Sequence, residues 1–310
     1  MISVNQLCKS FGDYLAVDNL SFSVNSGDIV GFLGPNGAGK STTMKMLTGF
    51  LPSSSGSISI AGKSVTTESV NVRHLIGYLP EGAPAYSEMT VYQFLCFIAQ
   101  ARKIPKVQRA DAISAVVKQV SLEEVLNKQI ETLSKGFKRR VGIAQALIHD
   151  PEILILDEPT DGLDPNQKQQ VRNLIANLAK EKIVIISTHI LEEVTAVCNR
   201  AIIIANGQKR FDDTPAVLQS MSRYHNAVSI KLSYVADISG LLEIEGVDDI
   251  KHDRVANQIT LFSENGKPIL NQVNTFIQQN KLPVETLTIE QGRLDEVFER
   301  LTSVKTEEAA

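Results

Sequence analysis

Gly34-Pro35-Asn36-Gly37-Ala38-Gly39-Lys40-Ser41 fits the pattern G-x-x-x-x-G-K-[ST]. A β-branched apolar run at 29–33 leads into it, and a helical pattern over 41–47 leads out. That strand–loop–helix setting separates a phosphate-binding loop from a glycine turn that binds nothing. The glycines let backbone N–H groups turn inward around phosphate oxygens with no Cβ in the way. The helix N-terminus adds the positive end of a dipole, Lys40 a point charge and the Ser41 hydroxyl a ligand for Mg²⁺. Thr42, in the first helical turn, joins the expected phosphate-side residues.

Outward from this loop, short β-branched runs alternate with longer helical patterns from residue 1 to about 221. Strands are expected at 29–33, 153–156, 183–187 and 201–205, and helices at 137–149, 165–179 and 190–197. Nearly continuous apolar strands between helices predict an α/β fold whose mostly parallel sheet is covered on both faces. The strand at 153–156 runs into Asp157-Glu158-Pro159. Strand C-termini in such a sheet face the ligand crevice, which brings both acids to the phosphates. Asp157 is suited to hold Mg²⁺, and Glu158 to polarise an attacking water as general base. His189 follows the strand at 183–187, where an imidazole can bond a γ-phosphate and sense its departure.

Composition narrows the class. The 310 residues are 43% hydrophobic and 21% charged, which excludes a disordered or collagen-like chain. Thirty-one basic residues against 35 acidic ones give a net charge of −4, so nucleic acid is not expected as the main partner. Cys8, Cys96 and Cys198 are odd in number and far apart, and are expected to be reduced, packed thiols. No signal peptide is expected in residues 1–20, and no apolar run approaches the roughly 18 residues that span a bilayer. Near 220–226 the texture changes. The remainder predicts strand 228–232, helix 238–244, strands 249–254 and 258–262, helix 268–280, strand 284–289 and helix 294–301. The middle of that order resembles a split βαβ plan. It carries no chemical motif, and the tail 304–310 is expected to fray.

One family is carried by these residues together. Leu133-Ser134-Lys135-Gly136-Phe137 precedes a helix and the strand ending at Asp157-Glu158-Pro159-Thr160, and Asp161-Gly162-Leu163-Asp164 follows. This ordered set resembles the nucleotide-binding subunits of ABC transporters over roughly residues 2–219, most of all the separate ATPases of ABC-2-type exporters with a C-terminal accessory domain. The resemblance implies a P-loop ABC ATPase domain at 1–220, with a mostly parallel core sheet, an antiparallel β subdomain and a helical subdomain. It implies a small α+β accessory domain of ferredoxin-like plan at 227–303. Hydrolysis of ATP with Mg²⁺ is implied, Ser41, Glu81 and Asp157 falling at the metal side and Glu158 and His189 at the catalytic and switch positions. Phe11 falls where an aromatic stacks on adenine. Ser134 and Gly136 fall where the signature touches ATP held by a second subunit. A homodimer, or a heterodimer with a related subunit, is implied, docked on integral membrane permease subunits at the cytoplasmic face of the inner (plasma) membrane.

Two positions depart from the family pattern. Glu81 stands where Gln is usual, and Lys135 and Phe137 replace the common Gly and Gln of the signature. A second carboxylate near phosphates repels them unless a metal neutralises it. Turnover is still expected, because Ser134 and Gly136 remain. Between Glu81 and Arg102, Gly82 and Pro84 predict a loop in which Tyr86 and Met89 are apolar. Helix-in-groove docking of a membrane subunit accounts for such residues. The alternative is a soluble ABC ATPase acting on ribosomes or DNA. The single phosphate loop, the single signature and the lack of a long heptad insertion all weigh against it.

Overall fold

The computed structural model describes residues 1–82, 85–234 and 236–303. Pro84 and the tail 304–310 therefore lie outside the described residues. The chain forms two compact units, Met1–Asp213 and Thr214–Ala310.

The first unit contains, in chain order, β1 (Ile2–Phe11), β2 (Tyr14–Val24), β3 (Ile29–Leu33), β4 (Ser55–Ile60), β5 (Lys63–Ser64), β6 (Ile76–Leu79), β7 (Ile153–Asp157), β8 (Ile183–Thr188), β9 (Arg200–Ala205) and β10 (Gln208–Asp213). Its main sheet runs β10-β9-β3-β8-β7-β6, parallel throughout except for the β9–β10 hairpin. Every residue of β7 and β8 is buried, as strands covered on both faces require. Register does the functional work. Leu33 pairs with Thr188, and Asp157 pairs with Ser187. The C-terminal ends of β3, β7 and β8 thus finish level, which delivers three loops to one place.

A smaller antiparallel sheet, β2-β1-β4-β5, flanks this core. Helices Val91–Ala101, Arg109–Gln119 and Lys135–Leu147 pack on one another as a helical subdomain. The first of them starts from a reciprocal cap: Gln93 N–H donates to Thr90 Oγ1 (3.2 Å), and Thr90 N–H donates to Gln93 Oε1 (2.9 Å). Cys8 and Cys96 are half-buried and Cys198 is buried, all free thiols.

The second unit is an antiparallel sheet of β11 (His225–Leu232), β12 (Val247–Asp253), β13 (Gln258–Ser263) and β14 (Val284–Gln291), in the order β12-β13-β11-β14. That is the strand order of a split βαβ unit. Helix Leu270–Asn280 seals its core through Val273 against Ile230, Ile259 and Leu261.

Two expectations are corrected here. The helix expected at 238–244 is only a 3₁₀ turn, Leu241–Glu243. Gly240 sits at φ +91° and Gly246 at φ +88°, leaving too few residues between them to repay helix nucleation. Leu241 and Ile244 reach the core all the same. The boundary expected at 220 falls instead after Asp213, because helix Pro215–Ser220 belongs to the second unit. Gln219 Nε2 donates to Gly292 O (3.4 Å), and Arg300 donates to Met221 O (2.7 Å). Gln219 and Met221, where the texture of the sequence changes, are thus tied into the second unit.

Candidate nucleotide site

β3 ends at Leu33 and the loop turns at once into helix Lys40–Leu47. The turn needs glycine at two points. Gly39 lies at φ +101°, and a Cβ there would sit 2.5 Å from Ala16 O. A Cβ on Gly34 would sit 2.5 Å from Ile204 O. No other residue fits either place without moving backbone. Ala38 N–H donates to Pro35 O (3.2 Å), closing the turn. The Lys40 ammonium donates to Gly34 O (2.8 Å) and Pro35 O (3.2 Å), folding over the loop. Burial lowers its pKa below the ordinary lysine range, against the opposing pull of Glu158, Asp157 and Glu81.

A cleft of about 420 Å³ opens over this helix start, lined by Phe11, Tyr14, Asn36, Lys40, Glu81 and Glu158 among others. Ser41 and Thr42 also face it. Phe11 ends β1 and pairs with Tyr14 across the hairpin. It is 49% exposed, with Lys9 Nζ 5.1 Å from its ring centroid. An aromatic with an open face at the mouth of the cleft can stack on a planar base. The sequence reading missed Tyr14, whose hydroxyl donates to Gly37 O (3.3 Å). Its one signal was a second aromatic in the hairpin, three residues after Phe11.

Asp157 ends β7 with only 1% exposure. Ser187 Oγ donates to its Oδ1, while Oδ2 is buried with no partner among the described residues. That unpartnered carboxylate oxygen, together with Ser41 and Glu81 in the lining of the cleft, supplies oxygen donors of the kind a hard divalent cation takes. Glu158 follows in the left-handed region at φ +49°, a strained position for a non-glycine residue. Its N–H donates to Ser187 O (3.0 Å), which fixes that turn to β8. His189 Nδ1 lies 3.0 Å from both carboxylate oxygens of Glu158. Burial raises the Glu158 pKa, with His189 pulling the other way. A carboxylate so placed, oriented by an imidazole and facing the phosphate loop, can take a proton from water.

The signature lies elsewhere in the chain. Ser134 caps helix Lys135–Leu147, with Phe137 N–H donating to its Oγ (3.4 Å). Gly136 is packed so close to Gln167 that a Cβ would come within 2.8 Å of its side chain. Ser134 is exposed, and neither residue lines the cleft of its own phosphate loop. Asp164, in the turn after Glu158, caps helix Pro165–Leu178 through Gln167 N–H (2.9 Å).

Known proteins share this architecture. Residues 17–161 match the family model described as ABC transporter. The chain is 34% identical to the bacitracin transport ATP-binding protein BcrA of Bacillus licheniformis, covering 97% of each chain. It is 38% identical to the ABC transporter ATP-binding protein YxlF of Bacillus subtilis, over 78% of this chain and 80% of that one. In fold it resembles a bacterial ABC transporter cassette solved as a dimer, with a TM-score of 0.64 at 23% identity, over 69% of this chain and 99% of that one. The phosphate loop, the acids closing β7 and the histidine after β8 therefore lie in a member of a known group: the chain belongs to the ATP-binding proteins of ABC transporters, the ATPases that power transport.

Proposed function

We propose that two copies of this chain, or this chain and a related one, close head to tail around two ATP molecules and drive export through separate membrane subunits. The observation that carries the reading is Glu158, held 3.0 Å from His189 beside the Lys40 loop. Backbone N–H groups of residues 37–42 and the Lys40 ammonium bind the phosphates, and Phe11 stacks on the base. Ser41, Asp157 and Glu81 would hold Mg²⁺, and a cation there would neutralise phosphate charge and offset the repulsion of the extra carboxylate at Glu81. Glu158 accepts the proton of the attacking water, and His189 orients it.

The exposed Ser134 and the N-terminal N–H groups of its helix are the surface a second copy's γ-phosphate would meet. The solved dimer of similar fold supports the pairing, and similarity to the Nod factor export ATP-binding protein I of Burkholderia pseudomallei supports the export direction. No helix among the described residues is long and apolar enough to cross a membrane. A membrane-subunit helix would dock where Tyr86, 52% exposed, meets Phe97 edge-on at 5.3 Å. The complex would sit on the cytoplasmic face of the inner membrane.

Glu158→Gln tests the reading. Hydrolysis should fall about 10²- to 10⁴-fold, the usual contribution of a general base. Mg²⁺-ATP should still bind and should now trap a dimer, seen by light scattering. A variant that stays monomeric with ATP bound, or that keeps parental turnover, would overturn it.

A further inference from the structure

Glu193 is a carboxylate with 4% exposure that the chemistry above does not use. It lies in helix Leu191–Val197, just past His189. Its two oxygens are divided between two buried hydroxyls. Thr160 Oγ1 donates to Oε1, and Thr188 Oγ1 donates to Oε2 (2.8 Å). Thr188 Oγ1 in turn accepts the N–H of Ile190 (3.1 Å), so its one proton is committed to Glu193.

The two threonines are the neighbours of the reacting groups. Thr160 is two residues beyond Glu158, and Thr188 is one residue before His189. They are 2% and 0% exposed, so neither hydroxyl has water as a substitute partner. A buried carboxylate is expensive and is kept only where it is well bonded. Together the two bonds link the turn that follows β7 to the end of β8 through helix Leu191–Val197. That is the gap across which Glu158 and His189 face one another.

We propose that Glu193 is a positioning residue: by joining Thr160 to Thr188 it sets the distance and angle at which His189 holds Glu158. This rests on the reading of Glu158 as the base. Glu193→Gln keeps the shape and one accepting oxygen but turns an amide N–H₂ toward the second hydroxyl. One of the two ties is then lost or reversed.

The test uses the full chain with Mg²⁺-ATP in single-turnover and steady-state assays, on Glu193→Gln, Thr160→Val, Thr188→Val and the combinations with Glu193→Gln. A displacement of the base should lower kcat about 10- to 100-fold, with KM and Mg²⁺-ATP affinity held within about threefold. Because the three groups act as one unit, adding either valine to Glu193→Gln should lower kcat less than about threefold further. The ¹⁵N resonances of His189, one of five histidines, should move in every variant, since its contact with Glu158 changes. Unchanged kcat would overturn the proposal. So would a loss of kcat matched by equal losses of affinity and melting temperature with His189 unmoved, which is the signature of a packing role. Glu158→Gln runs alongside. If it keeps turnover, the reading of the base fails, and the His189 resonances alone judge the tie through Glu193.

Discussion

The two units bury polar groups in different ways. In the first, Lys40, Arg139, Asp157, Glu158 and Glu193 are all under 10% exposed, and four of the five belong to the loops at the C-terminal ends of β3, β7 and β8 or to the helix after β8. In the second, the buried polar side chains among the described residues are Ser222, Ser229 and Thr260, none of them charged. Those three are satisfied by near neighbours: Ser229 with Thr260 and Glu290, and Ser222 with Glu296. Burying charge costs several kcal/mol unless it is paired, and a fold carries that cost where a charged ligand repays it. Concentration of buried charge at one end of one sheet marks the first unit as the place where ligand chemistry happens. The second unit's buried polarity serves its own sheet.

The contrast breaks most readily at Lys40. If its ammonium is kept buried for a phosphate, Lys40→Ala should weaken Mg²⁺-ATP binding by about 1.5–3 kcal/mol, or about 10- to 100-fold in Kd by calorimetry. The folded chain should lose little, since the lysine otherwise bonds only Gly34 O and Pro35 O. Unchanged affinity with lowered stability would make Lys40 a structural plug.

A buried ionisable group at the other end of the same sheet sharpens the point. His149 lies by the start of β6, its Nε2 3.1 Å from Ile76 O. Burial, aided by Arg102, pushes its pKa down from 6.5 to about 4. Away from the cleft, the pull of the Ile76 carbonyl and of Asp150 is too weak to balance burial, and the imidazole stays neutral. The unfolded chain takes up a proton below pH 6.5 that the folded chain refuses until about pH 4. The stability it contributes is therefore complete above pH 6.5 and is lost as pH falls toward 4. Between pH 7 and 5 the parent should lose about 2 kcal/mol at this site. His149→Gln can still donate an N–H to Ile76 O, and its denaturation midpoint should be flatter over that interval. Equal slopes would show that His149 does not set the acid limb.

Legibility followed the same division. The phosphate loop and Asp157-Glu158 could be read because each motif is contiguous and its chemistry is local to a strand end. The Glu193 tie could not, because Thr160 and Glu193 are 33 residues apart and meet only through the pairing of β7 with β8. Tyr14 was passed over for a related reason: its reach to Gly37 depends on how the β1–β2 hairpin leans. In the second unit the apolar spacing at 238–244 suited a helix, yet Gly240 took a left-handed conformation that spacing does not encode. Likewise, the change of texture near 220 does not encode that Gln219, Met221 and Ser222 are bonded to residues of the 292–300 stretch.

The smallest effect asks whether the second unit stands apart energetically. Thr260 is 7% exposed, and its hydroxyl lies 3.0 Å from Ser229 Oγ on the face away from the apolar core. Thr260→Val keeps the shape and removes one side of that bond, which should destabilise the second unit by about 1 kcal/mol. Ser229 retains Glu290 as acceptor at 2.7 Å, so the loss should not grow to the cost of an orphaned hydroxyl. Urea denaturation followed at Tyr224, which meets Phe262 of this sheet edge-on, reads the change. The affinity for Mg²⁺-ATP should stay within about twofold, because the bonds of this hydroxyl network to Thr260 and Glu290 lie within the second unit. A larger shift in affinity would mean that strain in the accessory sheet reaches the phosphate loop, and the two ways of burying polar groups would then belong to one mechanism.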